Sequence, residues 1–342
     1  MSTPITQWFN LTAQYALTSK DTVQVAFVGN TVHHLGSYVN PNSPREMLPP
    51  GLNVTNYIPY PDFTPYITYT RFGANSHYSS LQANYERRVG HGLNFLGNFT
   101  WASCLTDAAD VLNQTALTSY RAPFLPGFGM HRDFGRCDFD INKVLHLSGT
   151  YELPFGRGRH FLGSSSNVVN AILGGWNTNW IYTLQDGQPG TVPCAIPTTT
   201  GFGCDALKVP GVDLYAGPHN ASHWMNPAAF ATPPVAATVG QSDYSPLGGG
   251  PSQYRGPGFN RLDFSLFKQF QLSERFRVEF RSEFFNLANH PNFSIPGFSE
   301  NGFPASPGAL NYNNPAGFGT ITSARDGQND QREIQFALKL YY

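Results

Sequence analysis

Four cysteines are the first residues to weigh for chemistry: Cys104, Cys137, Cys194 and Cys204. Cys104 closes one expected strand and Cys137 precedes the next, so neighbouring strand tops could bring them within disulfide reach. Cys194 and Cys204 share one long loop. Four unpaired thiols remain the alternative. No CxxC occurs, which argues against a zinc ribbon or a thioredoxin-type site. His219 and His223 stand four apart and could chelate a metal on a helix, but a zinc site needs three or four ligands. They lie in a Pro- and Gly-rich loop without a third ligand and read as surface histidines. Gly201, Gly203 and Ala206 spell a dinucleotide fingerprint only on paper, because prolines replace the strand and helix it requires. The run from Asp326 to Asp330 lacks EF-hand spacing and reads as a polar loop tip. The chain has no GxSxG, HExxH or GxxxxGK[ST]. No catalytic residue, cofactor or metal is expected, and no enzyme.

Charged residues make up 13% of the 342, about half the usual share, while aromatics reach 14%. Mean hydropathy is nonetheless slightly polar, at -0.30. That balance suits strands that alternate lipid-facing and lumen-facing side chains. No run approaches 18 apolar residues, so no transmembrane helix is expected. A net charge of -1 gives no electrostatic case for nucleic acid. The opening MSTPITQWFN has neither a basic region nor an apolar core, so no signal peptide is expected.

The elements are therefore strands. In the last twelve residues Ile334, Phe336, Leu338, Leu340 and Tyr342 alternate with Glu333, Gln335, Ala337 and Lys339, giving one apolar and one polar face. Similar alternation predicts strands over 6–17, 22–34, 77–89, 92–105, 138–153, 176–184, 259–272, 275–288 and 331–342, with a shorter one within 66–72 and a helical turn over 167–173. Nine long strands are expected, most of about 11–16 residues, which exceeds the soluble norm and suits a tilted membrane crossing. Short turns follow Leu17, Val89 and Leu272, with a medium connection after Leu153. Long loops run over about 36–76, 106–137, 188–258 and 289–330. This sorting fits short periplasmic turns and long extracellular loops. The fold class expected is all-β: a transmembrane antiparallel barrel, partial, because nine is odd and an open edge is not tolerated in lipid.

Arg275, Arg277, Glu279, Arg281 and Glu283 form a charged ladder on the expected lumen face, able to contact solute or plug or to satisfy itself across strands. Trp8, Trp101, Trp176, Trp180, Tyr341 and Tyr342 fall near strand ends, as an interfacial girdle would. Arg87, Lys143 and Lys268 are the main charges on apolar faces, each near a strand end where a long side chain can snorkel.

Three stretches carry a family resemblance: 258–291 (GFNRLDFSLFKQFQLSERFRVEFRSEFFNLANHP), 318–325 (FGTITSAR) and 334–342 (IQFALKLYY). HWMNPAAF at 223–230 and the segment 138–156 fit as well. Together they resemble the C-terminal barrel half of TonB-dependent receptors of the acidobacterial, Oar-like type. The resemblance implies a 22-stranded barrel with an N-terminal plug, located in the cell outer membrane and taking up a solute with energy delivered through TonB. Residues 1–342 would then form the C-terminal part of the barrel, without the plug. The implied partners are outer-membrane lipid, the remaining strands and plug, the barrel-assembly machinery that reads the terminal strand, TonB through the missing N-terminal part, and an unknown solute. Alternatives are a structural or adhesive surface β-protein, a non-functional receptor fragment and a secreted soluble β-domain.

Overall fold

The computed structural model describes residues 2–90, 92–108, 124–241, 245–297, 307–325 and 330–342. Nine long strands build the sheet: β1 (Ile5–Ala16), β2 (Asp21–Val39), β3 (Tyr69–Gly90), β4 (Leu93–Thr106), β5 (Lys143–Glu152), β6 (Trp176–Gln185), β7 (Phe259–Gln271), β8 (Arg277–Phe285) and β9 (Glu333–Tyr341). Each pairs antiparallel with its neighbour in sequence. A two-residue strand, Gly135–Arg136, extends the end of β4. The sheet is open: among the described residues β1 and β9 pair on one side only.

The register shows why these residues make a wall. One row across seven strands reads Tyr15, Val23, Tyr85, Gly97, Leu147, Tyr182 and Leu262. The row one residue along reads Gln14, Gln24, Asn84, Asn98, His146, Thr183 and Arg261. The period of two thus keeps its phase through every pairing, so one face of the sheet is predominantly apolar and the other predominantly polar. Large side chains on the apolar face stay exposed: Leu11 at 75%, Phe336 at 67% and Leu338 at 74%. An apolar face of this extent seeks a non-aqueous surround.

Several boundaries differ from the sequence reading. β2 runs on to Val39 and β3 starts at Tyr69, so the first long loop is 40–68 rather than 36–76, and the short strand expected within 66–72 is part of β3. A register shift between Val32 and Leu35 explains the error, because a bulge at His34, which has a φ of 59°, breaks the alternation. β5 begins at Lys143, not at 138, and the second long loop therefore reaches residue 142. β8 starts at Arg277, leaving Arg275 in the turn, and ends at Phe285. β9 ends at Tyr341, one residue short of Tyr342.

A seven-residue helix, α1 (Asn167–Leu173), sits in the β5–β6 connection, its N-cap Ser166 accepting from the Val169 amide. Lys268, from the apolar face of β7, donates to the Asn170 and Ala171 carbonyls at 3.3 and 2.5 Å. A cation at these last carbonyls complements the negative end of the helix. This is how a lysine sits 5% exposed on an apolar face.

Candidate functional site: a loop cap at one end of the wall

Antiparallel pairing with alternating connection lengths gathers the four long loops at one end. There they fold into a common cap. The region 186–258, which reads as irregular in sequence, contains two ribbons, Leu207–Lys208 with Phe230–Ala231 and Pro189–Gly190 with Tyr254–Arg255. Val192, Ala206, Met225, Phe230 and Tyr254 are buried together with Leu310, Tyr312 and Phe318 from the β8–β9 loop. Met47, Leu125 and Leu247 form a second cluster from three different loops. Hydrogen bonds tie the loops pairwise: Thr200 to the Leu48 carbonyl at 3.1 Å, Arg132 to the Gly248 carbonyl at 2.6 Å, and Ala195 to the Tyr312 hydroxyl at 3.0 Å.

Two disulfides pin this cap. Cys104 and Cys137 are bonded with Cα atoms 5.4 Å apart, and Cys194 and Cys204 with Cα atoms 5.5 Å apart. Beside the first, the Asp140 side chain is 1% exposed and takes Arg136 at 3.0 Å and Arg255 at 2.6 Å. Its other oxygen accepts the Cys104 amide at 2.8 Å. A buried carboxylate is stable only when paired and hydrogen-bonded in this way. The alternation over 138–142 thus describes a loop: Phe139 is 73% exposed and Asp140 is inside. The Asp140–Arg255 contact spans too much sequence for any local pattern to disclose it.

Burial pushes the Tyr254 phenol up, and it donates to the Pro296 carbonyl. Burial also raises Tyr215, partly offset by its hydrogen bond to the Arg255 carbonyl. His219 lies against the Trp224 ring, 4.0 Å between centroids. Among the described residues no group of three or more His, Cys, Asp or Glu is arranged to hold a metal. Of the polar loop tip, residues 326–329 lie outside the described residues, while Asp330 accepts from the Asn292 amide and side chain, both at 2.8 Å.

On the polar face, Glu279 accepts from Gln269 and Arg281, each at 2.9 Å, and Arg281 also meets Glu283 at 3.4 Å. Arg277 lies over the Tyr341 ring. Arg275 is not part of this ladder. The row positions put Trp101, Trp176 and Trp180 on the apolar face. Trp8 falls in the polar phase, opposite Asn30, so it departs from the girdle expectation. Tyr341 does the same, in phase with Arg277. A cleft of about 840 Å³ opens on the apolar face, lined by Arg87, Tyr151, Trp180 and Phe264. It lies away from the polar face.

No helix among the described residues is long and apolar enough to cross a membrane. A wall of long antiparallel strands, with one mainly apolar face, short turns at one end and long loops at the other, has the construction of an outer-membrane β-barrel protein. Residues 1–335 match the outer membrane beta barrel domain family, and the chain belongs to that family. No curated protein matches the chain.

Proposed function

We propose that this chain forms the C-terminal part of the barrel of a TonB-dependent, Oar-like receptor, supplying wall, surface cap and terminal strand for energised solute uptake. The observation that carries the reading is the open wall. The apolar face runs through all nine strands, yet among the described residues β1 and β9 each have a free edge, and a free edge in lipid leaves backbone groups unsatisfied. Further strands would cover those edges, with a plug inside. Solute would be captured by the cap and plug and released inward when TonB moves the plug. β9, amphipathic and ending beside two tyrosines, would be the strand read by the assembly machinery.

Sequencing the DNA upstream of Met1 in frame tests this. A frame encoding a plug and further strands is the expected result. An immediate stop codon with no plug gene alongside would sink the receptor reading and leave a receptor remnant or a surface adhesin.

A further inference from the structure

The loop between β2 and β3, with the first residue of β3, carries an aromatic residue at every third position: Tyr57, Tyr60, Phe63, Tyr66 and Tyr69. Tyr57 is half-buried, but Tyr60 is 51% exposed, Phe63 63%, Tyr66 76% and Tyr69 54%. Among the described residues none of the four exposed rings stacks on another aromatic ring, so they are spread along the loop rather than gathered into a cage. The backbone beneath them is held firmly. Asn42, fully buried, donates to the Tyr60 and Thr64 carbonyls at 3.0 and 2.8 Å and accepts the Tyr60 amide at 2.9 Å. Asn40 donates to the Pro65 carbonyl at 2.7 Å and accepts the Ile67 amide at 3.2 Å. Pro59, Pro61 and Pro65 fix three further φ angles.

These rings do not belong to the membrane-interface belt. β2 has 19 residues, and a crossing uses about 9–11 of them. At about 3.3 Å per residue, allowing for tilt, the remainder carries the loop roughly 20 Å beyond the bilayer. Nor is the surface charged: Asp62 is the only ionisable side chain besides the tyrosines between Tyr57 and Tyr69. Within 57–69 an anionic ligand such as a phosphate or a nucleic acid meets no cationic side chain. What the loop offers is flat apolar faces, phenolic hydroxyls and a pre-ordered backbone, which lowers the entropy lost on binding.

We propose that residues 57–69 form a platform for an extended neutral glycan, with Tyr60, Phe63 and Tyr66 stacking against sugar rings and the tyrosine hydroxyls bonding to sugar hydroxyls. The glycan matches the platform because it is uncharged, linear and amphipathic, with C–H faces to stack and hydroxyls to pair. The platform needs neither plug nor TonB, so its test is separate from that of the receptor reading.

The full chain, refolded in detergent micelles, is titrated calorimetrically with cellohexaose, maltohexaose and xylohexaose. At least one should bind. The triple variant Tyr60→Ala, Phe63→Ala, Tyr66→Ala should weaken that binding at least tenfold, whereas Phe139→Ala, an exposed aromatic elsewhere in the cap, should change it less than threefold. Circular dichroism checks that the triple variant is folded. Absence of binding by all three sugars, or equal binding by the folded triple variant, overturns the proposal. So does a platform-dependent protein ligand when no sugar binds.

Discussion

The Arg255 guanidinium lies 2.6 Å from the Asp140 carboxylate, joining the loop before β7 to the loop before β5. Arg255 also donates to the Gly187 carbonyl at 2.8 Å, so one side chain ties three segments of the cap. Removing it leaves Asp140 buried with Arg136 as its remaining ion-pair partner. Arg255→Ala should cost roughly 3 kcal/mol and speed protease cleavage of 186–258. A guanidinium unfolding midpoint equal to wild type would show that the contact contributes nothing.

The two disulfides should differ in weight. Their loops span 33 and 10 residues, which in the chain-entropy model gives about 4 and about 3 kcal/mol. Replacing Cys104 and Cys137 by serine should therefore destabilise the cap more than replacing Cys194 and Cys204. Without reductant, no cysteine should react with iodoacetamide, as read by mass spectrometry. Alkylation of any one of them in the folded chain would contradict the pairing.

The two faces of β9 should respond oppositely to charge. Leu338 is 74% exposed on the apolar face, in register with Phe280. Leu338→Arg should cost about 2–4 kcal/mol in lipid vesicles if mid-bilayer. Gln335 pairs across to Glu283 on the polar face, so Gln335→Arg should fold as wild type does. Equal urea stability of the two variants in vesicles would argue against lipid on the apolar side.

Tyr254 gives the cap a pH limit. Burial raises its phenol above the ordinary tyrosine value of 10.0. The unfolded chain therefore loses this proton first as pH rises, and by linkage stability falls. The contribution is complete below pH 10 and is lost progressively as pH climbs toward the folded value. Tyr254→Phe should flatten the fall above pH 10, measured by thermal unfolding. An unchanged slope would assign the alkaline loss to other groups.

The strand bodies were legible because alternation survives wherever a strand has two distinct faces. β1, β6, β7 and β9 lie within two residues of their expected ends. α1 was legible too, since Ser166 and the run through Leu173 make a capped turn. Alternation failed in two physical situations. At His34 a bulge shifts the phase, so one strand looked like a strand and a loop. Over 138–142 a loop that turns one side chain in and the next out imitates a strand. The cap was illegible for a different reason. Its core joins residues such as Val192, Met225 and Phe318 from segments rich in Pro, Gly and Thr, and such contacts leave no period in the chain. Lys268 was legible as a charge on an apolar face, but not its bonds to α1.

The edges of the sheet share a direction. With consecutive strands antiparallel, β1 and β9 point the same way. Bringing them together within one chain would make a parallel seam, and so would joining them to a second copy standing the same way up in the membrane. A parallel seam has slanted hydrogen bonds and is slightly weaker per residue. Any all-antiparallel completion must therefore begin and end with strands that oppose β1 and β9, and hence match each other in direction. This sheet accepts such a complement only in odd numbers.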